Sequence, residues 1–344
     1  MAIYSGSPLR RLWILAQSAL ATIPNSSGTF TSTGMKLIPF NTAELRSLSE
    51  LIEAAFKTGT GSTLTGILGR VAGSCSLDVP FMPSGAAGTA PNLDALLKSI
   101  FGAAATVVSS TSVTYNQADG IGTPLAIGLW DSTPNGSPST SLFGFGGTPQ
   151  DFTINLGGNG YVNLSCNLQL FNMLDSDNFG NEDTTGKGGL TTFPAEPSSP
   201  TLLGNVIPSF AASSVSFGGS GVAEFVSAQI SGNTGRTLRM DGGKYPTAVV
   251  QGRRSVALRS LKFANSDGSA LQAVKNAAKS KTPLDVIAVQ GSVAGYIMTH
   301  TLKSVQFGNA RITENGAGMD IDFDDSPAHA SALANTNEYT LALT

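Results

Sequence analysis

The stretch that decides the fold runs from Gly69 to Gly102 and reads GRVAGSCSLDVPFMPSGAAGTAPNLDALLKSIFG. In its first part apolar and polar residues alternate, which is typical of a strand with one buried face. The apolar members of this pattern are Cys75, Leu77, Val79 and Phe81. Pro80 and Pro83 then end the strand, because proline cannot donate a backbone hydrogen bond to a neighbouring strand. A loop of small residues is predicted to follow.

A short helix is predicted after that loop. Pro91 and Asn92 suit a helix start, and Gly102 suits the left-handed position just past a helix end. The apolar residues between them recur with helical spacing. They form a predicted packing face that consists of Leu93, Leu96, Leu97 and Ile100. A strand, a loop and an amphipathic helix that packs back on the sheet predict an α+β unit.

The composition favours a β-rich chain and argues against several functional classes. Of 344 residues, 40 are Gly and only 12% are charged, whereas helical domains carry more Lys, Glu and Arg. A net charge of −3 argues against the clustered basic surface of a nucleic-acid-binding protein. Two cysteines occur, Cys75 and Cys166, and we expect both to be small buried residues rather than a disulfide.

Residues 1–64 are predicted to form N-terminal helices and an extended arm. The apolar run Leu12–Ala16 is too short for a signal peptide or a membrane span, so the residues around it predict a short helix. A second helix is predicted over residues 42–56, which read TAELRSLSELIEAAF and place their large apolar residues on one side.

A first β module is predicted over residues 65–174. Short strands are expected around Val113–Tyr115 and Leu125–Trp130, followed by a hairpin with arms Phe152–Leu156 and Tyr161–Phe171. In the second arm the polar residues that alternate with apolar ones are Asn163, Ser165, Asn167 and Gln169. This alternation predicts a strand with one buried and one solvated face.

Residues 175–214 are rich in Asp, Asn, Gly, Pro and Ser, which predicts a linker or a long surface excursion. A second β module with a C-terminal tail is predicted over residues 215–344, because the order of the first half returns there. Gly252–Phe263 reads as a strand, LQAVKNAAKS as a short helix and ITENGAGMDIDF as a Gly-rich hairpin. This recurrence predicts a tandem duplication, and two similar modules in one chain can occupy equivalent places in a ring.

The sequence predicts no catalytic, cofactor-binding or metal site, and thus no enzyme. His300 lies in a strand pattern and is predicted to be structural rather than a base. The acidic run at residues 175–186 resembles a calcium loop, but Phe179 stands at a ligand position and Gly186 at the closing Glu position. An acidic turn in water is the simpler interpretation.

The segment MDIDFDD is predicted to place Asp320, Asp322 and Asp324 on one strand face, opposite Met319, Ile321 and Phe323. Like charges at alternate positions repel along a strand. One interpretation is a solvated face. The other is a negative surface along which a polyanion passes without binding.

Two stretches resemble the tail tube proteins (major tail proteins) of long-tailed bacteriophages. The first is SGAAGTAPNLDALLKSIFG, which follows a strand and precedes SVTYN. The second begins at QGRRSVALRSLKF and continues, after a helix, through PLDVIAVQGSVAGYIMTHTLKSVQFGNARITENGAGMDIDF. The resemblance covers roughly residues 65–325 and is stronger in the order of elements than in identity.

The resemblance implies a mainly β fold, built of β-sandwich or half-barrel tube modules that each carry a flanking short α-helix. It implies a virion protein without cofactors, assembled in the host cytoplasm, whose stacked rings form the conduit for DNA ejection. Two modules per chain predict a trimeric ring with pseudo-sixfold symmetry, and a single module predicts a hexamer. Further implied partners are the tape measure, tail terminator and tail-tip proteins, with transient non-specific passage of DNA and no membrane insertion. The lumen is expected to be lined by Asp320, Asp322, Asp324, Asn163, Ser165 and Asn167.

The alternative function is a β-rich carbohydrate-binding or adhesin-type protein of a phage tail or cell surface. Such a protein needs clustered aromatic residues and paired acids on a concave face. Aromatic residues make up only 7% of the chain, and Trp13 and Trp130 share no motif.

Overall fold

The structure is a computed structural model that describes residues 10–52, 67–131, 140–157, 160–198, 201–207, 212–314, 319–330 and 337–344. The described residues of the first half form one α-helix, α1 (Asp94–Phe101), and twelve strands. The strands are β1 (Arg10–Ala16), β2 (Asn25–Ser26), β3 (Thr29–Phe30), β4 (Lys36–Ile38), β5 (Thr42–Ile52), β6 (Ile67–Pro80), β7 (Thr106–Val108), β8 (Ser112–Asn116), β9 (Leu125–Asp131), β10 (Leu142–Gly157), β11 (Asn163–Leu170) and β12 (Asn172–Asp175).

The described residues of the second half form a short 3-10 helix (Phe179–Asn181), the helix α2 (Ser269–Ser280) and twelve further strands. The strands are β13 (Ala212–Phe217), β14 (Ser220–Gly221), β15 (Phe225–Asn233), β16 (Arg236–Arg239), β17 (Ala248–Gln251), β18 (Ser255–Ala264), β19 (Leu284–Gln290), β20 (Met298–Val305), β21 (Ala310–Glu314), β22 (Met319–Phe323), β23 (Ser326–Pro327) and β24 (Tyr339–Leu343). The protein is therefore mainly β, as its sequence predicts.

Two sheets carry most of the structure. The large sheet has the strand order β21-β22-β18-β15-β10-β11-β6-β5, and the small sheet has the order β14-β13-β19-β20-β24-β8-β7. The large sheet continues at the first half of β10, which pairs with β9 and β12, while β1 pairs with both β9 and β4. The strand pairings among the described residues are antiparallel, so hairpins and short connections can build these sheets.

One hydrophobic core joins both sheets and both helices. The ring of Phe152 in the large sheet stacks on Tyr339 in the small sheet, with ring centroids 6.1 Å apart. Phe101 of α1 contacts both rings. Farther along, Phe217 of β13 packs edge-on against Phe263 of β18 at 5.4 Å. The two sequence halves therefore share a single core and fold as one body.

A second apolar cluster covers the outer side of β1, β9 and the first half of β10. Its cover comes partly from residues 176–198, in which Phe179 and Leu190 are buried. The indole Nε1 of Trp130 donates to the carbonyl of Pro194 at 3.1 Å. The Pro-rich segment thus forms, in its described part, a third layer on the first module.

The first predicted N-terminal helix is wrong, because residues 10–16 form strand β1. Leu12 and Ile14 face the main core, whereas Trp13 and Leu15 face the second cluster. A strand buried on both faces reads as a continuous apolar run without alternation. Its apolar pattern therefore resembled that of a short helix.

The second predicted helix, over residues 42–56, is also wrong. Its described residues form strand β5, which pairs with β6 from Thr42↔Asp78 to Ile52↔Ile67. Leu45 is buried and Leu48 is half exposed, although the helix prediction placed both on the packed side. Pairing with β6 overrides the moderate helix propensity of this sequence. Residues 53–56 lie outside the described part.

The central stretch is predicted correctly. Strand β6 ends at Pro80, α1 follows the small-residue loop, and Gly102 takes the left-handed conformation with φ 79°. The predicted packing residues of α1 are all buried. The strands around residues 113–115 and 125–130, the hairpin β10–β11 and the helix α2 are confirmed as well.

Candidate functional site

The candidate site is the face of the large sheet that points away from the helices, which we call the polar face. Along β11, Leu164, Cys166 and Leu168 are buried in the core. The residues between them therefore point to the other side. These include Asn163, Ser165 and Asn167, as the alternation predicts.

On β6, β10 and β11 this face is built from neutral groups around two carboxylates, and β5 adds the ion pair of Arg46 with Glu44. Ser165 Oγ donates to Asp78 Oδ1 at 2.9 Å, and Asn41 Nδ2 donates to Asp78 Oδ2 at 2.9 Å. Asn167 Nδ2 donates to Asp151 Oδ1 at 2.8 Å. Both carboxylates are thus held by amides and hydroxyls, which fixes their positions in the sheet.

In the second module the same face carries ion pairs. Lys262 Nζ lies 3.2 Å from Asp320 Oδ2 and 3.9 Å from Asp322 Oδ1. Arg311 Nη2 of β21 lies 3.0 Å from the Oδ1 atom of Asp324, which follows the last residue of β22. The acidic residues of MDIDFDD are therefore paired with cations on neighbouring strands. They do not form the uncompensated negative surface that the sequence suggested.

The structure places the six predicted lining residues on or beside one sheet, in two groups separated by β10, β15 and β18. Lys262 and Arg311 were not among the residues predicted for this face. Lys262 could have been found, because it alternates with the buried Leu261 and Phe263 of β18. Only the pairing of β18 and β21 with β22 shows that these cations lie beside the aspartates.

The order of strands repeats along the large sheet. The first module contributes β5-β6-β11-β10 and the second contributes β15-β18-β22-β21, so corresponding strands take corresponding places. In both modules the second strand leads to the helix, and the last two strands form a hairpin. The repeat includes β5, which lies before the predicted first module.

The two modules meet head to tail. Strand β10, the last of the first set, pairs with β15, the first of the second set, from Asp151↔Asn233 to Gly157↔Ser227. The outer ends of the sheet are formed by β5, which corresponds to β15, and by β21, which corresponds to β10. Ile312 of β21 exposes 64% of its surface. Within the described residues, the large sheet therefore has one internal seam and two open edges of matching kind.

A buried arginine closes the seam at the end of α1. Arg236 of β16 donates through Nη1 to the carbonyl of Ser99 and through Nε to Gln251 Oε1. Burial, together with the nearby charge of Arg254, lowers the pKa of Arg236 to about 10. A cation at a helix C-terminus also interacts favourably with the helix dipole. The second module is thus fastened to the helix of the first.

The other singled-out residues have structural surroundings. Burial raises the pKa of both thiols, Cys75 and Cys166, which are free and buried. His300 is fully buried between Tyr339 and Gln290, and burial lowers its pKa to about 3. It is a strand residue, as predicted.

In the acidic run, burial alone would raise the pKa of Asp183. Hydrogen bonds from Lys244, the Gly186 amide and Tyr245 outweigh this effect and lower the pKa. The Asp175 carboxylate accepts hydrogen bonds from the backbone amide of Asp177 and from the Asn178 side chain. Within the described ranges, no group of three or more His, Cys, Asp or Glu side chains is placed to hold a metal ion.

No protein family matches the sequence, and no curated protein is similar to it. Neither of the two helices that the structure describes is long and apolar enough to cross a membrane. The geometry of the large sheet is therefore the structural basis for a functional proposal.

Proposed function

We propose that this protein is a structural subunit that assembles with copies of itself into stacked rings, forming the tail tube of a long-tailed bacteriophage. The tube would be the conduit for DNA ejection, with the polar face of the large sheet lining its lumen. The proposal combines the sequence resemblance with the architecture described above.

The observation that carries the proposal is the head-to-tail seam between β10 and β15. Because this contact joins two unlike strands, one strand of each type keeps an unpaired edge in the described part of the large sheet, namely β21 and β5. The edge of β21 in one chain can then pair with the edge of β5 in the next, by repeating the internal seam. Long open edges are a hazard for a monomer, and a closed ring removes them.

The number of strands agrees with a wide channel. Each chain contributes eight strands to the continuous path of the large sheet. A barrel closed by three chains would be roughly 48 Å across between opposite backbones, at ~4.8 Å strand spacing and ~40° tilt. Two modules per chain would give this trimeric ring pseudo-sixfold symmetry.

The chemistry of the polar face suits passage of DNA rather than capture. Strong binding of a phosphate backbone requires Lys and Arg side chains that are free to neutralise it. Lys262 and Arg311 are instead paired with Asp320 and Asp324. Arg46 and Arg259 of the same face are likewise paired, with Glu44 and Asp325. The remaining carboxylates and amides of this face add no attraction for phosphates.

The carbohydrate-binding alternative has less support. Aromatic platforms for sugars must be exposed, whereas Trp13 and Trp130 are almost completely buried. The aromatic residues of the second cluster pack on one another and on the segment 176–198. They stabilise the outer layer of the first module instead of forming a binding surface.

Electron microscopy of the purified protein at high concentration tests the proposal. We expect rings or tubes with an open lumen and threefold symmetry after rotational averaging. The variant Ile312→Glu should remain monomeric, because it places a charge where the next chain would pair with β21. Its free energy of unfolding should stay within about 0.5 kcal/mol of the parent protein, since the side chain is exposed.

Ile287→Glu is the matched control, because Ile287 is partly exposed on β19 in the interior of the small sheet. It should form rings. Rings formed by Ile312→Glu as readily as by the parent protein would contradict pairing through β21. Closed particles without a lumen would favour the carbohydrate-binding alternative.

A further inference from the structure

The sandwich has two ends, which helix α1 connects. At the start of α1, Asn92 Nδ2 donates to the carbonyl of Thr201 at 2.9 Å. At its other end, the amide of Ala118 donates to the carbonyl of Phe101 at 2.9 Å. In a ring closed through β5 and β21, these two ends would be the two faces of the ring, because the strands run from one to the other.

At the end where α1 begins, three segments converge on the loop at residues 82–90. Gly204 packs so closely on the carbonyl of Pro83 that a Cβ would overlap it. Gly295 packs in the same way on the backbone of Gly85, and Gly88 packs on the backbone at Ser110. The predicted loop of small residues is therefore held in place by residues 105–111, 201–207 and 291–297.

These four segments contain no Asp, Glu, Lys or Arg, and we call them the uncharged end. The loops at the same end of the large sheet that carry Glu224 and Asp267 are not part of it. They nevertheless expose large apolar side chains to solvent: Val293 is 62% exposed, Val107 55% and Leu202 53%. Val108 and Val206 are exposed in the same segments. Exposed apolar side chains concentrated on one uncharged surface are typical of a protein–protein contact.

The opposite end, where α1 finishes, has a different chemistry. Arg254 pairs there with Asp119 and Glu338, and Lys303 pairs with Asp285. Within this charged surface, Ile121 is 54% exposed on the loop that covers the end of α1. The two ends are thus unlike, and each offers apolar contact.

We propose that the uncharged end binds the opposite end of a second ring of the same chain, with Val293 and Ile121 in the contact. This inference rests on the proposed ring, because ring closure occupies both sheet edges and turns the polar face inward. Only the two ends then remain for stacking. A contact between unlike ends does not close on itself and extends into an open tube.

The test uses two variants that each disable one end. Rings of Val293→Glu keep the opposite end intact, and rings of Ile121→Glu keep the uncharged end intact. By electron microscopy each variant alone should give single rings, so the mean tube length falls to one ring. A mixture of the two should give pairs of rings and nothing longer, because only one productive contact is possible. Ile287→Glu should stack like the parent protein.

Several outcomes would overturn the inference. Tubes of normal length from Val293→Glu would exclude the uncharged end from stacking. Pairs of rings formed by Ile121→Glu alone would mean that two uncharged ends bind each other. Failure of Val293→Glu to form any ring would place this residue in ring closure instead. If the parent protein forms no rings, both proposals fail. If the parent forms rings and the variants stack, only this one fails.

Discussion

The helices of the two modules occupy similar places in the chain but different surroundings. Every residue of α1 is at least partly buried, and Leu96, Leu97 and Ile100 are almost completely so. In α2 the residues Leu271 and Val274 are buried, whereas Gln272 and Ala273 are exposed. The part of the large sheet that contains β1 and β9 packs against α1, whereas α2 keeps one face in water.

The difference shows that the same strand order can carry a helix that is buried under further strands or a helix that is exposed to solvent on one side. The large sheet repeats its strand order in both modules, yet the first module adds β1, β4 and β9 over its helix. Segment 176–198 then covers the outer side of those strands. We infer that the repeated part of the fold is the large sheet, and that the outer layers vary around it.

The largest expected effect is a charge on α1. Leu97→Asp should cost several kcal/mol, because it buries an unpaired carboxylate between two sheets. Ala273→Asp on α2 is the matched control and should change the free energy of unfolding by less than about 0.5 kcal/mol. The measurement is the yield of soluble protein, followed by urea unfolding. Equal tolerance at both sites would contradict the difference in cover.

A smaller effect is expected at the two helix ends. A Cβ on Gly102 would overlap the guanidinium of Arg236 and lie 2.9 Å from the carbonyl of Ala118. With the left-handed backbone at this residue, Gly102→Ala should destabilise the fold by about 2 to 4 kcal/mol.

The corresponding position in α2 is Lys281, which is left-handed with φ 56°. Its Nζ donates to the carbonyl of Phe307 and to Asn309 Oδ1. Lys281→Gly removes backbone strain but loses these bonds, so its net effect should be within about 1 kcal/mol. Urea unfolding of both variants compares the ends, and similar losses would contradict a tighter seam at α1.

The smallest effect concerns acid. In the folded protein the pKa of His300 is about 3, below its ordinary value of 6.5, so the unfolded chain binds a proton that the folded chain does not. The contribution of neutral, buried His300 to the free energy of unfolding is fully present above about pH 6.5 and decreases as the pH falls below that value. The loss should reach about 1.4 kcal/mol at pH 5.5.

His300→Gln should reduce this slope between pH 6.5 and 4, whatever its effect at pH 7. The measurement is the urea midpoint as a function of pH for both proteins. An unchanged slope would mean that His300 is accessible to protons in the folded state.

The sequence by itself determined the elements that have one buried face. Alternation in β6 and β11 and helical spacing in α1 and α2 predict these elements directly, because one side of each meets the core. It also determined the position of Gly102 and the burial of the free cysteines. Polar residues of β11 and β22 pointed to one solvated face for the same reason.

Tertiary structure decided what depends on partners distant in the chain. Strand β1 is buried on both faces, so its pattern carries no period, and β5 becomes a strand by pairing with β6. Neighbouring strands bring Lys262 and Arg311 to the aspartates, and only strand order shows the head-to-tail seam with its two open edges. The local spacing of apolar residues indicates which side of an element is buried. Strand pairing, in contrast, depends on contacts between residues far apart in the chain.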